Sequence, residues 1–384
     1  MKITDVRAYP VRLDAAASYL GALPAGAGDD AYFTRANWRS LYSAGFESML
    51  VRIATDDGPI GWGEALAPVG PQIPAAVVER LLAPVLVGED PTAVRPLVRR
   101  LSGLMRERGH LVGHQADALA AVDIALWDLA GRIAGQPVAQ LLGGAFRTTI
   151  PYYVSGLPRP DDAARAEQMA GWVAAGIRRV KLHLGQGIDA DLATVDAVQA
   201  VDPAVQVAVD AHWVYSRADA LRLGRGLDER RAWFLEAPLE PEDVAGHRDL
   251  AVAIATPVAI GETLRNRFEF AQWLAASALD IAQPDIGRTG ITEAMVIADL
   301  ASAAFVPVAP HHSVGLGVAL AAGLHVAAAV EDLAVFEFQP DTTPVGERIL
   351  TRPIERTADG FGLPSGPGLG IDVDEAAVAA AVIR

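Results

Sequence analysis

The sequence contains no cysteine, which excludes disulfide bonds, thiolate metal sites and cysteine nucleophiles together. Any metal ion must therefore be held by oxygen or imidazole ligands. No apolar run reaches the roughly 20 residues that a membrane-spanning helix needs. The first 14 residues alternate like a strand and lack the apolar core of a secretory signal. These absences predict a cytoplasmic protein that has no membrane partner.

Basic charge is also scarce. The formal net charge is -15, which argues against a nucleic-acid partner, because nucleic-acid-binding proteins present a basic surface to phosphates. Only two of the 32 basic side chains are lysines, Lys2 and Lys181. A compact ammonium in a chain that otherwise uses arginine indicates that Lys181 is required at its position. An anionic substrate would need such local positive charge.

Charged or imidazole residues recur at a nearly constant interval, each at the end of a short apolar stretch. The interval is 23 to 29 residues, which is the length of one strand, one helix and two loops. The stretches are apolar throughout, as parallel strands buried on both faces are. The residues at their ends are Lys181, His183, Asp210, His212, Glu236, Glu262, Asp285, His311 and Glu337.

Seven such units in succession predict a closed parallel barrel, in which the C-terminal ends of the strands converge on one mouth. The 384 residues exceed a barrel of roughly 250, so a second domain is expected. We predict an N-terminal α+β capping domain at 1–125, a barrel at 126–340 and a C-terminal segment at 341–384. The C-terminal segment is expected to pack back on the capping domain.

Within the predicted cap, residues 48–65 have the pattern of a hairpin, and residues 115–135 form the strongest predicted helix, which Gly135 ends. Residues 15–45 show weak periodicity, and a connection of that length in a compact domain is usually either functional, as active-site lids are, or disordered. Its candidates for substrate specificity are Tyr19, Tyr32, Phe33 and Arg35.

Asp210, Glu236 and Glu262 end three consecutive predicted strands. Three converging carboxylates repel one another unless a divalent cation neutralises them, and hard oxygen ligands suit Mg²⁺ or Mn²⁺. The sequence therefore predicts a magnesium site, with manganese as the second choice.

Asp285 and His311 end the next two strands, and a carboxylate beside an imidazole makes a general base near neutral pH. Which of His311 and His312 points inward is left open, because neighbours on a strand face opposite ways. A divalent metal together with such a base can remove a proton next to a carboxylate, because the base accepts the proton and the metal stabilises the negative charge that results.

Motifs along nearly the whole chain resemble the enolase superfamily, and within it the mandelate racemase subgroup. In chain order they are GWGEA, VDIALWDLAG with LLGG, VKLHLG, VAVDAH, FLEAP, IGE, IAQPD, APHH, FEF and GPGLGI. The resemblance implies a (β/α)₇β TIM-like barrel under an α+β cap, with Mg²⁺ on the three carboxylates. It also implies that His311 and Asp285 form the base, while Glu337 donates to or positions the substrate carboxylate.

Two positions depart from the racemase pattern. His183 stands where the racemase has a second lysine, and His212 stands where racemase-like members have asparagine. A histidine at the second position is similar to the acid-sugar dehydratases, in which it protonates the departing hydroxyl. The segment 285–291 also has one glycine fewer than the usual double-glycine turn.

The function that follows is Mg²⁺-dependent dehydration of an aldonic or aldaric acid to a 2-keto-3-deoxy acid. In this prediction His311 takes the α-proton, Lys181 helps to stabilise the enediolate and His212 protonates the leaving group. Racemisation, epimerisation or sugar-lactone cycloisomerisation is the alternative, with His183 as a second acid. A sugar-acid binding protein without activity is the non-enzymatic alternative. Exposed strands and a large cap predict a homo-oligomer.

Overall fold

The computed structural model describes residues 1–14, 32–35, 38–56 and 58–383. Strands of the N-terminal part form a three-stranded antiparallel sheet and a separate two-stranded hairpin. They are β1 (Ile3–Leu13), β2 (Tyr32–Arg35), β3 (Trp38–Ser43), β4 (Phe46–Thr55) and β5 (Ile60–Ala65). The sheet has the order β1-β4-β5, so the predicted hairpin at 48–65 is confirmed as β4 and β5. Part of the segment expected as an irregular lid is the hairpin β2-β3.

Five helices of the described chain follow these strands. They are α1 (Gln72–Val77), α2 (Ala83–Leu86), α3 (Val94–Met105), α4 (Gly113–Ala134) and α5 (Val138–Leu141), with a π-helical turn at Val78–Leu82 and a 3₁₀ turn at Arg106–Arg108. The long helix α4 ends at Gly135 in the left-handed conformation, as predicted.

Helix α4 lies directly against β5, and two glycines of the GWGEA motif permit this contact. A Cβ atom at Gly63 would lie 1.9 Å from the Ala121 carbonyl oxygen, and one at Gly61 would lie 2.3 Å from that of Ala125. Any larger residue at either position would force the helix off the sheet. The helix is consequently buried on nearly all sides rather than on the single face that its sequence pattern suggests.

The remaining chain consists mainly of strands that alternate with helices. The strands are β6 (Thr149–Ile150), β7 (Tyr152–Ser155), β8 (Arg179–His183), β9 (Gln206–Asp210), β10 (Leu235–Glu236), β11 (Val258–Ile260), β12 (Ile281–Ala282), β13 (Phe336–Phe338) and β14 (Phe361–Gly362). The helices are α6 (Asp162–Ala174), α7 (Ile188–Gln199), α8 (Arg217–Glu229), α9 (Val244–Ala253), α10 (Arg267–Ala275), α11 (Ile286–Ala303), α12 (Gly317–Ala329), α13 (Thr343–Gly346) and α14 (Glu375–Ala381), with a 3₁₀ turn at Glu347–Ile349.

Seven of these strands form one parallel sheet in the order β12-β11-β10-β9-β8-β7-β13. Val308 closes the ring, because it bridges to Ala282 on one side and to Leu333 on the other. The apolar stretch 305–310, which precedes His311 and is one of the strands predicted from the sequence, thus contributes a single bridging residue. The predicted α/β barrel under an N-terminal cap is confirmed.

Side chains that point into the barrel form a compact layer of their own. An aromatic pair, Tyr153 and Phe234, occupies much of this interior, and small residues fill the rest. The members are Tyr153, Ala208, Phe234, Ala259, Ile281, Ala309 and Val335. Because this layer closes the interior, the functional groups are confined to the rim formed by the C-terminal strand ends.

The C-terminal segment touches both parts of the molecule. Strand β14 pairs with β6, while the amide of Ile383 donates to the Pro10 carbonyl of β1. The boundary that we place between residues 125 and 126 falls inside α4, and the division into three domains stays a proposal. None of the helices in the described residues is both long enough and apolar enough to cross a membrane.

Candidate active site

The residues predicted at the strand ends lie side by side on the barrel rim. Asp210 is in register with His183 on one neighbouring strand and with Glu236 on the other. Asp285 and His311 form a parallel bridge with each other. Register between parallel strands thus brings together groups that lie more than a hundred positions apart in sequence.

Lys181 is completely buried between two carboxylates. Its Nζ lies 2.8 Å from Glu236 Oε1 and 2.9 Å from Glu337 Oε1. Burial opposes its charge, but these carboxylates hold the pKa of Lys181 well above its usual range. Lys181 is therefore a fixed ammonium that fastens two acidic side chains. Its predicted part in stabilising the enediolate stays a prediction.

Glu337 accepts hydrogen bonds from several directions. Besides the ammonium of Lys181, the amide of His312 and the side chain of Gln339 donate to it. Burial opposes ionisation, yet the positive charges of Lys181 and His311 lower the pKa of Glu337 to about 2. A carboxylate in this state accepts hydrogen bonds and has no proton to give. Of the two roles that the family resemblance implies for Glu337, the geometry supports positioning.

The dyad His311-Asp285 is formed. His311 Nδ1 lies 2.7 Å from Asp285 Oδ2, so the carboxylate fixes this nitrogen as the donor. Nε2 is the other ring nitrogen, and it lies 3.3 Å from Glu262 and 3.7 Å from Glu337. Burial favours the neutral ring, but Glu337 and Glu262 hold the pKa of His311 well above its usual range. Once neutral, such a ring accepts a proton readily.

The neighbouring imidazole of His312 points away from this site. Its ring stacks on Phe336 at 6.0 Å between centroids, and burial lowers the pKa of His312 to about 4. The question that the sequence left open is thereby answered: His311 faces the rim, and His312 is part of the packing behind it.

Two further imidazoles flank Asp210. His183 Nδ1 lies 3.0 Å and His212 Nδ1 3.4 Å from the same oxygen, Asp210 Oδ2. Burial opposes protonation of His212, but the Asp210 carboxylate raises its pKa above the usual value. The Tyr42 hydroxyl lies 3.2 Å from His212 Nε2 and fixes the far side of the ring. The ring of His212 is thus held on two sides, and its surroundings favour the charged form, while its part as a proton donor stays a prediction.

The carboxylates predicted to bind metal are buried beside these rings. Although burial opposes ionisation, His212 and His183 hold the pKa of Asp210 well below its usual value. Burial and then the charges of Asp210 and Glu337 raise the pKa of Glu236 to about 7, despite Lys181. An acid held in this way gains from a neighbouring cation.

The described residues contain two sets of possible metal ligands, and within each set the ligand atoms lie within 4.8 Å of one another. One set is His183, Asp210 and His212, and the other is Glu236, Glu262 and His311. The three predicted carboxylates are therefore divided between the sets, one in the first and two in the second. Buried oxygen ligands that repel one another fit a divalent cation such as Mg²⁺ or Mn²⁺.

A cavity of about 240 Å³ opens onto this rim. Its barrel side carries His183, Asp210, His212, Glu262 and His311, and its other side is formed by residues 40–47, Leu66 and Pro68 of the N-terminal part. The cap therefore completes the enclosure, as the prediction of a lid requires.

Sequence reasoning missed several cavity residues. Tyr42 and Arg288 both line the cavity, and neither stands at a strand end or in a recognisable spacing. Tyr32, a predicted specificity residue, instead donates to Glu47 and accepts from the amide of Gly70. Tyr19, another, lies outside the described residues.

Comparison with known proteins gives a consistent result. Residues 163–377 match the family model of the enolase C-terminal domain, and residues 43–143 match that of the mandelate racemase and muconate lactonizing enzyme N-terminal domain. The chain is 34% identical to a D-galactarolactone cycloisomerase from Agrobacterium fabrum, with 86% of this chain and 90% of the relative covered. It is 35% identical to a D-galactonate dehydratase from Verminephrobacter eiseniae, with the same coverage. A solved enolase-superfamily structure from Agrobacterium tumefaciens superposes with a TM-score of 0.94 at 34% identity, covering 100% of this chain and 99% of that one.

Proposed function

The chain belongs to the mandelate racemase and muconate lactonizing enzyme family of the enolase superfamily, and from this premise we propose that it dehydrates a sugar acid. The reaction removes the proton next to the carboxylate and expels the β-hydroxyl as water. The enol that results tautomerises to a 2-keto-3-deoxy acid. The substrate class is an aldonic or aldaric acid.

The contact between His311 and Asp285 carries this proposal. With Nδ1 held 2.7 Å from a carboxylate, the basic lone pair of neutral His311 is at Nε2, beside the cavity. A base oriented in this way accepts a proton in a defined direction, which general base catalysis requires. The imidazolium that forms is stabilised by the adjacent Asp285.

His212 supports dehydration as the fate of the intermediate. A hydroxyl leaves as water only when an acid protonates it, and the raised pKa of His212 favours its charged form near neutrality. Asp210 and Tyr42 hold its ring on two sides, so its proton has a fixed position at the cavity. The departing oxygen takes the proton from the ring.

The remaining groups, Lys181 and the carboxylates around it, are proposed to hold the metal ion and the substrate. Lys181 keeps the carboxylates of Glu236 and Glu337 in place beneath the cavity. We propose Mg²⁺ on Asp210, Glu236 and Glu262, where such an ion, when bound, stabilises negative charge on the substrate carboxylate. The residues themselves then hold the substrate, orient it and move its protons.

Cycloisomerisation of a sugar lactone, or epimerisation, is the second candidate. The observation that favours it is His183, which lines the same cavity and contacts Asp210 like His212 does, so that a second acid is available. One relative at 34% identity is named as a lactone cycloisomerase. Products distinguish the two reactions, because only dehydration forms a keto acid.

The test uses proton NMR in D₂O with Mg²⁺ and a panel of aldonic acids, aldaric acids and their lactones. We expect the wild-type protein to release a 2-keto-3-deoxy acid from at least one acid. His311→Asn should abolish both exchange of the α-proton and dehydration. His212→Asn should retain exchange and lose dehydration, whereas the exposed His114→Asn, the same substitution outside the cavity, should change neither.

Two results would contradict the proposal. Formation of a lactone isomer or an epimer without any keto acid would favour the second candidate. Equal loss of exchange and dehydration in His212→Asn would remove the role of His212 as the acid for the leaving group.

A further inference from the structure

The two arginines that line the active-site cavity differ in whether another residue binds their charge. Acidic groups on the cavity wall include Glu47, Asp210 and Glu262, and besides the histidines its basic side chains among the described residues are the arginines Arg265 and Arg288. Arg288 lies in the first turn of α11, three positions after Asp285, and so begins at the same part of the rim as the base. The two arginines differ in what they bind.

Arg265 is already engaged. Its Nε lies 3.2 Å from Asp117 Oδ1, and its Nη1 donates to the Thr263 carbonyl oxygen at 2.6 Å. Asp117 is buried, and burial raises its pKa in spite of Arg265 and the more distant Arg288. This ion pair therefore satisfies both of its members inside the protein.

Arg288 has no such partner. Among the described residues its guanidinium forms neither a hydrogen bond nor an ion pair, and its Nε is buried without any acceptor. Asp117 is the acid that acts on it from a distance, and that carboxylate is bonded to Arg265. Arg288 is half-buried, and a partly buried cation without a partner gains stability when an anionic ligand binds.

The chemistry of the guanidinium specifies that ligand. Its N–H groups form a planar fork that matches the two oxygens of a carboxylate. The reacting carboxylate is expected at the other groups of the rim, next to Glu262 and His311. Among the described residues, the guanidinium of Arg288 forms no hydrogen bond or ion pair with Glu262 or His311, so a carboxylate bound at those groups leaves Arg288 without a partner unless the substrate carries a second carboxylate.

We propose that Arg288 binds a second, distal carboxylate of the substrate, and that the substrates are sugar diacids or their monolactones rather than sugar monoacids. This inference rests on the proposed function for the reaction at the first carboxylate. It assigns to Arg288 substrate binding and specificity, with no part in proton transfer.

The experiment separates binding from turnover. Aldaric acids are compared with aldonic acids of the same configuration, namely glucaric, galactaric, mannaric and arabinaric acid against gluconic, galactonic, mannonic and arabinonic acid. Affinity is measured by calorimetry with Mg²⁺ in the His311→Asn variant, and kcat/KM is measured in the wild-type protein. At least one diacid should bind more tightly and react faster than its monoacid.

Arg288→Met should remove this preference. Loss of a buried charged contact predicts a fall of about 10- to 100-fold in diacid affinity and kcat/KM, with little change for monoacids. Arg288→Lys keeps the charge without the fork and should recover part of the loss. Arg225→Met, on the exposed face of α8, is the matched control and should leave the preference intact.

The inference is overturned when no diacid binds more tightly than its monoacid, or when Arg288→Met weakens both classes equally. A failure of the proposed function has a different signature. In that case no acid exchanges its α-proton in the wild-type protein, while the preference for diacids in the calorimetry still reports on Arg288.

Discussion

Glu64 of the GWGEA motif is a buried acid whose ionisation is expected to weaken the fold. It lies on β5 and is fully inaccessible, yet it reaches the start of α12 in the barrel. Its carboxylate accepts the Leu316 amide at 2.6 Å, the Ala319 amide at 2.8 Å and the Ser48 hydroxyl at 2.7 Å. Helix α12 has no side-chain cap from its own N-cap residue, so Glu64 supplies one from the N-terminal part.

Burial and hydrogen bonding oppose each other at this carboxylate. Burial is the larger effect and raises the pKa of Glu64 from 4.5 to about 7, although the three donors lower it. Such a rise corresponds to about 3 kcal/mol of unfolding free energy. For a pKa raised in the folded state, this stability is fully present below pH 4.5 and is lost as the pH rises towards 7.

Glu64→Gln makes this contribution measurable, because glutamine does not titrate. Its NH₂ group cannot accept the hydrogen bond that one carboxylate oxygen accepts, so we expect Glu64→Gln to melt below the wild-type protein at pH 4.5 by a cost that does not depend on pH. For a chain of 384 residues, 3 kcal/mol corresponds to about 4 °C. Between pH 4.5 and pH 7.5 the wild-type protein should therefore lose about 4 °C in melting temperature relative to Glu64→Gln.

Differential scanning calorimetry at several pH values measures this difference in melting temperature. The contributions of the other titrating groups cancel in the difference, because both proteins contain the same groups. Ser48→Ala keeps Glu64 and removes one of the donors that lower its pKa, so it is expected to lower the melting temperature and to retain at least the pH dependence of the wild-type protein. The reasoning is refuted when the wild-type protein gains stability relative to Glu64→Gln as the pH rises, since the hydrogen bonds would then outweigh burial.

Two further predictions concern the proton-transfer groups. Asp285→Asn should reduce α-proton exchange by about 10³- to 10⁴-fold through loss of the correct tautomer of His311, as measured by NMR in D₂O; a loss below tenfold contradicts the orienting role of Asp285. Burial raises the pKa of Tyr42 to about 12, so its hydroxyl is a neutral partner of His212. Tyr42→Phe should slow dehydration by about tenfold, the equivalent of one hydrogen bond, and leave exchange unchanged. A parallel fall in both rates would show that Tyr42 supports the whole cavity instead.

The rim of the barrel is predictable because its residues follow from a period. Parallel strands end on one side of a barrel, so the interval between Lys181 and Glu337 is enough to place these groups together. The sequence also indicates the dyad, since Asp285 and His311 end adjacent strands. At these positions the residues that the sequence period predicts at strand ends do lie at neighbouring strand ends in the structure.

The cavity residues that do not stand at strand ends follow no such rule. Tyr42 reaches the cavity from the hairpin β2-β3 of the N-terminal part, and Arg288 reaches it from the first turn of α11 in the barrel. The direction of His312 likewise depends on its contact with Phe336. These positions are set by packing between distant segments, which leaves no period in the sequence.

The turn at 285–291, which has one glycine fewer than usual, is in contact with the N-terminal helix α4. Gly290 has φ of 73° inside α11, and a Cβ atom there would lie 2.6 Å from Asp123 Oδ2. Asp123 of α4 accepts the Thr292 amide at 2.9 Å and so caps the helical segment after this kink, while Thr289 bonds within the turn.

The helices that follow Asp285 and His311 are therefore both capped by acids of the N-terminal part, Asp123 on α4 and Glu64 on β5. A helix end without its cap loses the fixed position of its first turn. Each capped segment begins within six residues of Asp285 or His311, so the contacts with the N-terminal part hold the chain that follows both members of the predicted dyad.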